Sequence, residues 1–299
     1  MAHVSPSPLT PSGSRPSRRA FGAAAAGTVA TAGLLAAGTA RPAAAHGRPR
    51  PPAPFPQAHA HNDYEHPRPL HDALDHGFGS VEVDVWLVDG QLLVAHDEVD
   101  LDPARTVEAL YLDPLAARIR ANRGVVHRGW GPDFQLLIDL KTAGDATYRA
   151  LARRLRPYRA LFSSATPGRV HTRAVTAVIS GDRAAREPMA AERVRYAFYD
   201  GRPEDLGSGV PASFIPLVSA NWTSLFSWSG VGAFPAAERA TLRRYVDAAH
   251  AAGQRVRFWA TPDQPGPERE AVWRELLAAG VDHLNTDDLP GLVAFLRAS

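Results

Sequence analysis

The amino-acid sequence predicts an α/β protein, a single (β/α)₈ TIM barrel that follows a cleaved signal segment. Apolar, β-branched runs alternate with helical stretches along the chain, which indicates a parallel sheet. Eight such runs indicate closure into a barrel, and the roughly 240 residues after the amino-terminal segment suit one barrel. An open doubly wound sheet is the alternative, but the Gly-rich phosphate loop expected after its first strand is absent.

The predicted elements alternate in the order that a barrel requires. The eight strands cover residues 56–61, 80–87, 134–140, 175–180, 194–199, 213–219, 255–260 and 281–285. An additional strand is predicted at residues 91–95, because Asp89-Gly90 before it is a hairpin signal. Helices are predicted at residues 68–76, 105–122, 144–156, 235–252, 267–279 and 290–298. No repeat or second domain is evident, so we expect residues 57–299 to form one domain.

Residues 1–45 have the pattern of a twin-arginine signal peptide. Arg18-Arg19 precedes an uncharged Ala/Gly/Leu run at residues 22–40, and Ala43-Ala44-Ala45 offers a small-residue cleavage site. A membrane anchor is the alternative, but the run is mostly Ala, Gly and Thr, with few of the residues that drive stable insertion. The sequence therefore predicts secretion across the cytoplasmic membrane.

The net charge of the chain after its amino-terminal segment bears on nucleic-acid binding. Residues 1–45 hold four of the 33 basic residues and none of the 31 acidic ones, so the remaining chain carries a net charge of −2. The high isoelectric point thus gives no reason to expect nucleic-acid binding. Residues 46–56 are rich in Pro and Arg and are expected to form a disordered leader.

Polar residues occur two apart near the ends of the first three predicted barrel strands. These pairs are His59 and His61, Glu82 and Asp84, and Asp139 and Lys141. Residues two apart on a strand face the same side, and apolar residues separate the last two pairs, so these side chains should converge at the carboxyl-terminal mouth of the barrel. Three carboxylates and one ammonium sum to −2, which one divalent cation would balance. Oxygen ligands favour Mg²⁺ or Ca²⁺ over zinc.

An alternative for these carboxylates is ion pairing with arginines that merely stabilises the barrel. His61-Asn62 before the pair Glu82 and Asp84, and His96-Asp97 after it, favour a functional site. Lys141 adds an independent argument, since it is the one lysine in the chain and all other long basic side chains are arginines. The exception suggests that a compact ammonium is required there.

Four segments resemble the phospholipase C-like phosphodiesterase superfamily, which includes glycerophosphodiester phosphodiesterases, phosphatidylinositol-specific phospholipases C and spider sphingomyelinases D. They are His61-Asn-Asp-Tyr64, Ser80-Val-Glu-Val-Asp-Val-Trp86, Leu93-Val-Ala-His-Asp97 and Leu137-Ile-Asp-Leu-Lys141. The sequence is most similar to the "altered inheritance of mitochondria" protein family, through His-Asn-Asp-Tyr, Val-Asp-Val-Trp-Leu-Val-Asp-Gly, Leu-Tyr-Leu-Asp-Pro-Leu and Asn-Thr-Asp-Asp-Leu. The resemblance covers residues 57–295.

The resemblance implies roles for individual residues. His61 and His96 would be the general acid/base pair, and Lys141 would contact the phosphate. The metal ligands would be Glu82, Asp84, Asp139 and Asn62. Glycerophosphodiesterases have His-Arg-Gly where this chain has His61-Asn62-Asp63, which disfavours a glycerophosphodiester substrate. His59 remains an alternative to His61 on the first strand.

Substrate contacts are expected around the same mouth, from Trp259, Asp287 and His59. Trp222, Phe226 and Trp228 could add an apolar wall for a lipid or alcohol group, or could simply be packed at the top of the barrel. The expected function is therefore an exported, metal-dependent phosphodiesterase acting on a phospholipid-like or glycerophosphodiester-like small molecule. A lipid substrate would bring transient contact with a membrane surface.

Two other functions are compatible with a barrel of this kind. His59-x-His61 also occurs at the start of metal-dependent amidohydrolases, but these need zinc-binding histidines where this chain has Ser180, Asp200 and Ser219. A non-catalytic lipid- or carbohydrate-binding barrel would not need the complete polar set. The sequence leaves open the head group, the choice between Mg²⁺ and Ca²⁺, formation of a cyclic phosphate, and the oligomeric state.

Overall fold

A computed structural model describes residues 53–299. The predicted signal segment, 1–45, lies outside the described residues, as does the 46–52 part of the predicted leader. The first strand begins at Phe55, one residue before the strand predicted at 56–61, so residues 55 and 56 of the expected leader belong to the barrel.

Eleven strands form the sheets within residues 53–299. They are β1 (Phe55–Ala60), β2 (Phe78–Val88), β3 (Gln91–Val94), β4 (Phe134–Leu140), β5 (Ser164–Thr166), β6 (Arg169–His171), β7 (Val175–Gly181), β8 (Phe198–Gly201), β9 (Leu217–Asn221), β10 (Arg255–Trp259) and β11 (His283–Thr286). Eight of them pair in parallel in the order β1, β2, β4, β7, β8, β9, β10, β11, and β11 pairs with β1 to close the barrel. β3 pairs antiparallel with β2, as the hairpin signal predicts, and β5 and β6 form a separate hairpin. The predicted TIM barrel is confirmed.

Helices follow most barrel strands and cover their outer faces. They are α1 (His71–Asp75), α2 (Asp113–Ala121), α3 (Gly144–Leu155), α4 (Arg186–Ala191), α5 (Trp222–Leu225), α6 (Ala236–Ala251), α7 (Pro267–Ala279) and α8 (Leu289–Ala298). The sequence predicts six of these, and the short helices α4 and α5 were not expected. In the described part of the chain, no helix combines the length and apolar character needed to cross a membrane.

Two barrel strands lie further along the chain than predicted. β8 was expected at residues 194–199 and β9 at residues 213–219. Residues before β8 bond elsewhere, because Arg195 exchanges backbone hydrogen bonds with Ala165 of the β5–β6 hairpin. Pro216 has no N–H to donate, so the hydrogen-bonded ladder of β9 starts after it.

Side chains alternate along the barrel strands between an outer apolar core and a largely polar interior. On β2, the residues that alternate with Glu82 and Asp84 are fully buried valines of the main core: Val81, Val83 and Val85. A separate apolar cluster of Leu137, Val178 and Leu217 lies on the opposite side of its strands from that core. The parallel register places Asp84 beside Asp139, so the carboxylates of neighbouring strands meet at one end of the barrel.

Candidate active site

The loop after β1 carries two of the predicted site residues and is held by an internal carboxylate. Asn62 adopts a left-handed conformation with φ 45°, which Asn tolerates better than most residues. A short 3₁₀ helix over Asp63–Glu65 follows. Asp63 Oδ2 accepts hydrogen bonds from the Leu70 N–H at 2.5 Å and from the Tyr111 hydroxyl at 2.8 Å. These bonds fix the turn that presents Asn62 to the barrel mouth.

Glu82 is a buried carboxylate that is paired with an arginine. Arg257 on β10 places Nη2 2.5 Å from Glu82 Oε2 and donates from Nε to Asn285 Oδ1 at 2.8 Å. Burial by itself would raise the pKa of Glu82, but the charge of Arg257 holds that pKa well below its usual range. Glu82 thus forms the ion pair with an arginine that the alternative interpretation expected.

Asp84 receives three donors on one oxygen. Its Oδ2 lies 2.6 Å from the Tyr64 hydroxyl, 2.9 Å from Lys141 Nζ and 3.2 Å from His96 Nδ1. Burial and the neighbouring charge of Glu82 raise the pKa of Asp84 above its ordinary value.

Lys141 lies between two carboxylates, since its Nζ is also 3.1 Å from Asp139 Oδ2. Burial lowers the pKa of Lys141, but Asp139 and Asp84 outweigh it, and the net shift is upward. An ammonium has three donors, so one N–H remains for a group in the mouth. Asp139 and Lys141 thus lie on the same side of β4 with their charged groups in contact.

The two predicted catalytic histidines each contact a carboxylate through Nδ1. His61 Nδ1 lies 2.8 Å from Asp287 Oδ1, and His61 Nε2 lies 3.9 Å from Glu82 Oε2. His96 is about half exposed, with Nδ1 against Asp84. Burial lowers the pKa of His61, but the hydrogen bond to Asp287 and the charge of Glu82 outweigh burial, so the pKa lies above its ordinary value.

His59 occupies a different environment from His61. It is fully buried, with Nδ1 2.7 Å from Ser80 Oγ and Nε2 at a longer 3.5 Å from Glu82 Oε2. Burial, followed by the charge of Arg257, lowers the pKa of His59 to about 4. His59 was expected to contact the substrate, but in this position no part of its side chain is accessible to one.

The aromatic residues at the mouth divide into packed and accessible ones. Trp222, Phe226 and Trp228 are buried and each packs against the ring of Phe234, so these three residues are ordinary barrel packing and not an apolar wall for a ligand. Trp259, at the end of β10, is 37% exposed and can still contact a ligand.

The ends of β7 and β8, next to Asp139 of β4, contribute a further ion pair. Ser180 Oγ and Arg202 Nη1 both donate to Asp200 Oδ2, at 3.0 and 2.6 Å. Two of the three positions where an amidohydrolase needs histidine ligands, Ser180 and Asp200, therefore belong to one hydrogen-bonded group with Arg202. This arrangement disfavours the amidohydrolase alternative.

The carboxylates fit a hard divalent cation by their chemistry, although they are not gathered around one point. Across residues 53–299, no group of three or more His, Asp or Glu side chains is close enough to enclose a metal ion. Hydrogen bonds and ion pairs reach Glu82 Oε2, Asp84 Oδ2 and Asp139 Oδ2, which leaves the second oxygen of each carboxylate without a partner among the described residues. Such oxygens are the ligands that Mg²⁺ and Ca²⁺ prefer.

Arg257 changes the charge expected of this cluster. Three carboxylates with Lys141 and Arg257 leave a net charge of −1 when the histidines are neutral, instead of the −2 expected from the sequence. One divalent cation would then give +1, which complements a monoanionic phosphodiester. Arg257 and Tyr64 are the site residues that the sequence argument missed. The spacing of Arg255 and Arg257 on one strand, with Val256 between them, was an available signal for the arginine.

The closed parallel barrel and the polar cluster at its mouth define a domain of the phospholipase C-like phosphodiesterase class. The family model of the AIM6-like phosphodiesterase domain matches residues 53–200, and that of the glycerophosphoryl diester phosphodiesterase family matches residues 255–290. The chain belongs to the altered inheritance of mitochondria protein 6 family. The resemblance found in the sequence motifs is confirmed.

Fungal relatives support this assignment. Altered inheritance of mitochondria protein 6 of Eremothecium gossypii is 32% identical over 268 residues, which cover 80% of this chain and 69% of the relative. The protein of that name from Lachancea thermotolerans is 29% identical, with 78% of this chain and 64% of the relative covered. The homologue from Arthroderma benhamiae is 29% identical, with 79% and 82% covered.

Among solved structures, the barrel is similar to a glycerophosphoryl diester phosphodiesterase from Parabacteroides distasonis. The TM-score is 0.50 and the identity 14%, and the alignment covers 83% of this chain and 88% of the other. At this identity the similarity supports the fold alone.

Proposed function

We propose that this chain is an exported, metal-dependent phosphoric diester hydrolase that uses His61 and His96 as its general acid/base pair. The observation that carries the proposal is the matched arrangement of the two histidines. Each presents Nδ1 to a carboxylate, Asp287 for His61 and Asp84 for His96. An Nδ1–H that donates to a carboxylate leaves Nε2 as the nitrogen that exchanges a proton with substrate.

The two histidines would divide the proton transfers of hydrolysis. One imidazole Nε2 removes a proton from the attacking water or substrate hydroxyl as the new bond to phosphorus forms. The other protonates the alkoxide oxygen as its bond to phosphorus breaks. Both transfers are needed because phosphodiesters otherwise hydrolyse extremely slowly.

The remaining site residues would stabilise charge on the phosphate. Glu82, Asp84, Asp139 and Asn62 would hold one Mg²⁺ or Ca²⁺, which would act as a Lewis acid toward a non-bridging phosphate oxygen. Lys141 keeps one N–H for a second phosphate oxygen while Asp84 and Asp139 fix its ammonium.

The substrate we propose is a phospholipid-like or glycerophosphodiester-like phosphodiester. The net charge of the cluster suits a monoanion, and exposed Trp259 at the rim can pack against an alcohol or lipid group. Ser180, Asp200 and Ser219 stand where an amidohydrolase would need histidine ligands for zinc, which fits phosphodiester chemistry better than amide hydrolysis.

A panel of phosphodiesters tests this function. Bis(p-nitrophenyl) phosphate, lysophospholipids, phosphoinositides, glycerophosphodiesters and sphingomyelin should be incubated with the protein in Mg²⁺ and then in Ca²⁺. We expect turnover of at least one diester, dependent on the cation and lost in a His61→Ala/His96→Ala variant. Binding without turnover across the panel would instead support a non-catalytic barrel.

A further inference from the structure

Tyr64 is the side chain that contacts three predicted site residues at once. Its hydroxyl oxygen lies 2.6 Å from Asp84 Oδ2, 2.9 Å from Asn62 Oδ1 and 3.2 Å from His96 Nδ1. We propose that Tyr64 is a positioning residue. By donating its proton to Asp84, its hydroxyl orients the Asn62 amide and the His96 imidazole toward the barrel mouth. The inference rests on the proposed function for the roles of those three residues.

The argument starts from the single proton of a phenol. A phenol keeps its proton at neutral pH, so the Tyr64 hydroxyl has one proton to donate and two lone pairs that accept. That proton goes to Asp84 Oδ2, which is both the nearest of the three acceptors and the charged one. The other two neighbours of the hydroxyl oxygen must therefore act as donors toward it.

For His96 this requirement selects one tautomer. Nδ1 lies 3.2 Å from the Tyr64 hydroxyl and 3.2 Å from Asp84 Oδ2, both of which accept a hydrogen bond from it. The proton of neutral His96 consequently resides on Nδ1, and its lone pair is on Nε2. This is the tautomer that a general base facing the mouth requires.

For Asn62 the same requirement selects one amide orientation. An oxygen facing the hydroxyl would leave two lone pairs opposed at 2.9 Å, because the proton is on the Asp84 side. The oxygen of Asn62 faces the hydroxyl in the structure, and the inference is that the amide turns over so that its NH₂ group donates to Tyr64. The carbonyl oxygen then faces away from Tyr64 and becomes available as a cation ligand.

Tyr64 is held firmly enough to perform this role. Its ring is 2% exposed within the main core, and Arg105 Nη2 donates to its backbone oxygen at 2.5 Å. A residue with so little freedom imposes its geometry on partners that are more exposed, such as His96.

The test compares Tyr64→Phe with Tyr148→Phe in the full chain. Tyr148, on helix α3 away from the mouth, is a matched control. It is about as buried as Tyr64, and its hydroxyl also donates to a carboxylate, that of Glu192, at 3.0 Å. Both variants lose one hydroxyl and keep their ring packing. The readouts are kcat and KM on bis(p-nitrophenyl) phosphate and the ¹⁵N spectrum of histidine-labelled protein, in which His96→Asn assigns the His96 resonances.

We expect wild-type His96 to be protonated at Nδ1 and free at Nε2, and Tyr64→Phe to lower the population of that tautomer, because Nδ1 then keeps only its 3.2 Å contact with Asp84 Oδ2. We also expect Tyr64→Phe to lower kcat roughly 10- to 100-fold, with the smaller change in KM, as loss of a supporting hydrogen bond usually does. Tyr148→Phe should alter neither readout. Wild-type His96 protonated at Nε2, or a Tyr64→Phe variant indistinguishable from Tyr148→Phe, would overturn the inference. Absence of diesterase activity in the wild type would instead refute the proposed function, and the tautomer measurement would still decide the role of Tyr64.

Discussion

Arg257 Nη2 lies 2.5 Å from Glu82 Oε2, and both side chains are almost completely buried at the barrel mouth. A fixed cation inside a carboxylate cluster reduces the repulsion that Glu82, Asp84 and Asp139 would otherwise exert on one another. The pair also links β2 to β10 across the barrel interior, since the two residues are far apart in sequence. The same contact therefore contributes to folding and to the charge of the site.

The ion pair gives a prediction about stability. Arg257→Met leaves Glu82 as an unpaired buried charge, so the free energy of unfolding should fall by about 3–5 kcal/mol in urea denaturation. Glu82→Gln in the same background removes that charge and should recover part of the loss. If the double variant is no more stable than Arg257→Met, the two side chains are not coupled.

The second prediction concerns the cation. Asp84→Asn and Asp139→Asn preserve shape but remove charge, so both should bind Mg²⁺ or Ca²⁺ more weakly in calorimetry and lose activity. A chelator should inactivate the wild type, with recovery on adding either ion. Asp145→Asn, an exposed carboxylate paired only with Arg149, is the control and should behave as wild type. Full wild-type activity in excess chelator would contradict the metal proposal.

The third prediction separates the roles of His61 and His59. His61→Ala should lower kcat by roughly two to four orders of magnitude, because it removes a proton-transfer group. His59 is buried beneath Glu82, so its replacement by Gln should affect stability or cation binding and leave proton transfer in place. A His61→Ala variant with normal kcat would mean that another group serves as the acid or base.

The fourth prediction concerns export. Arg18→Lys together with Arg19→Lys should retain the protein in the cytoplasm, because the twin-arginine pair is the recognised feature of such signals. Amino-terminal sequencing of the secreted protein should give a start at or near His46, after the small residues Ala43–Ala45. Unchanged secretion of the double variant would show that a different route is used.

The sequence predicted the barrel and its carboxylates because both depend on local periodicity. Alternation of two along β2 and β4 is visible in seven or eight residues, and parallel pairing then brings Asp84 beside Asp139. The pairings of Arg257 with Glu82 and of Asp287 with His61 were not predicted, because the partners are more than a hundred residues apart and no local pattern encodes such a contact. The sequence left the choice between an aromatic wall and ordinary packing open for a related reason. An apolar pattern identifies Trp222 as hydrophobic but does not tell whether the ring packs inward or faces a ligand.

The last prediction uses the single lysine. Lys141 Nζ is held by Asp84 at 2.9 Å and Asp139 at 3.1 Å, a space that fits a compact ammonium with one remaining N–H. Arginine keeps the charge but presents a wider planar fork, so it should not restore this geometry. We expect Lys141→Arg and Lys141→Met each to lower kcat by roughly two or more orders of magnitude, the usual effect of removing one electrostatic stabiliser. Circular dichroism should show that both variants fold, because the side chain lies at the polar mouth and is partly exposed. Near-normal kcat for Lys141→Arg would mean that position 141 needs only positive charge, and near-normal kcat for Lys141→Met would remove the lysine from the mechanism altogether.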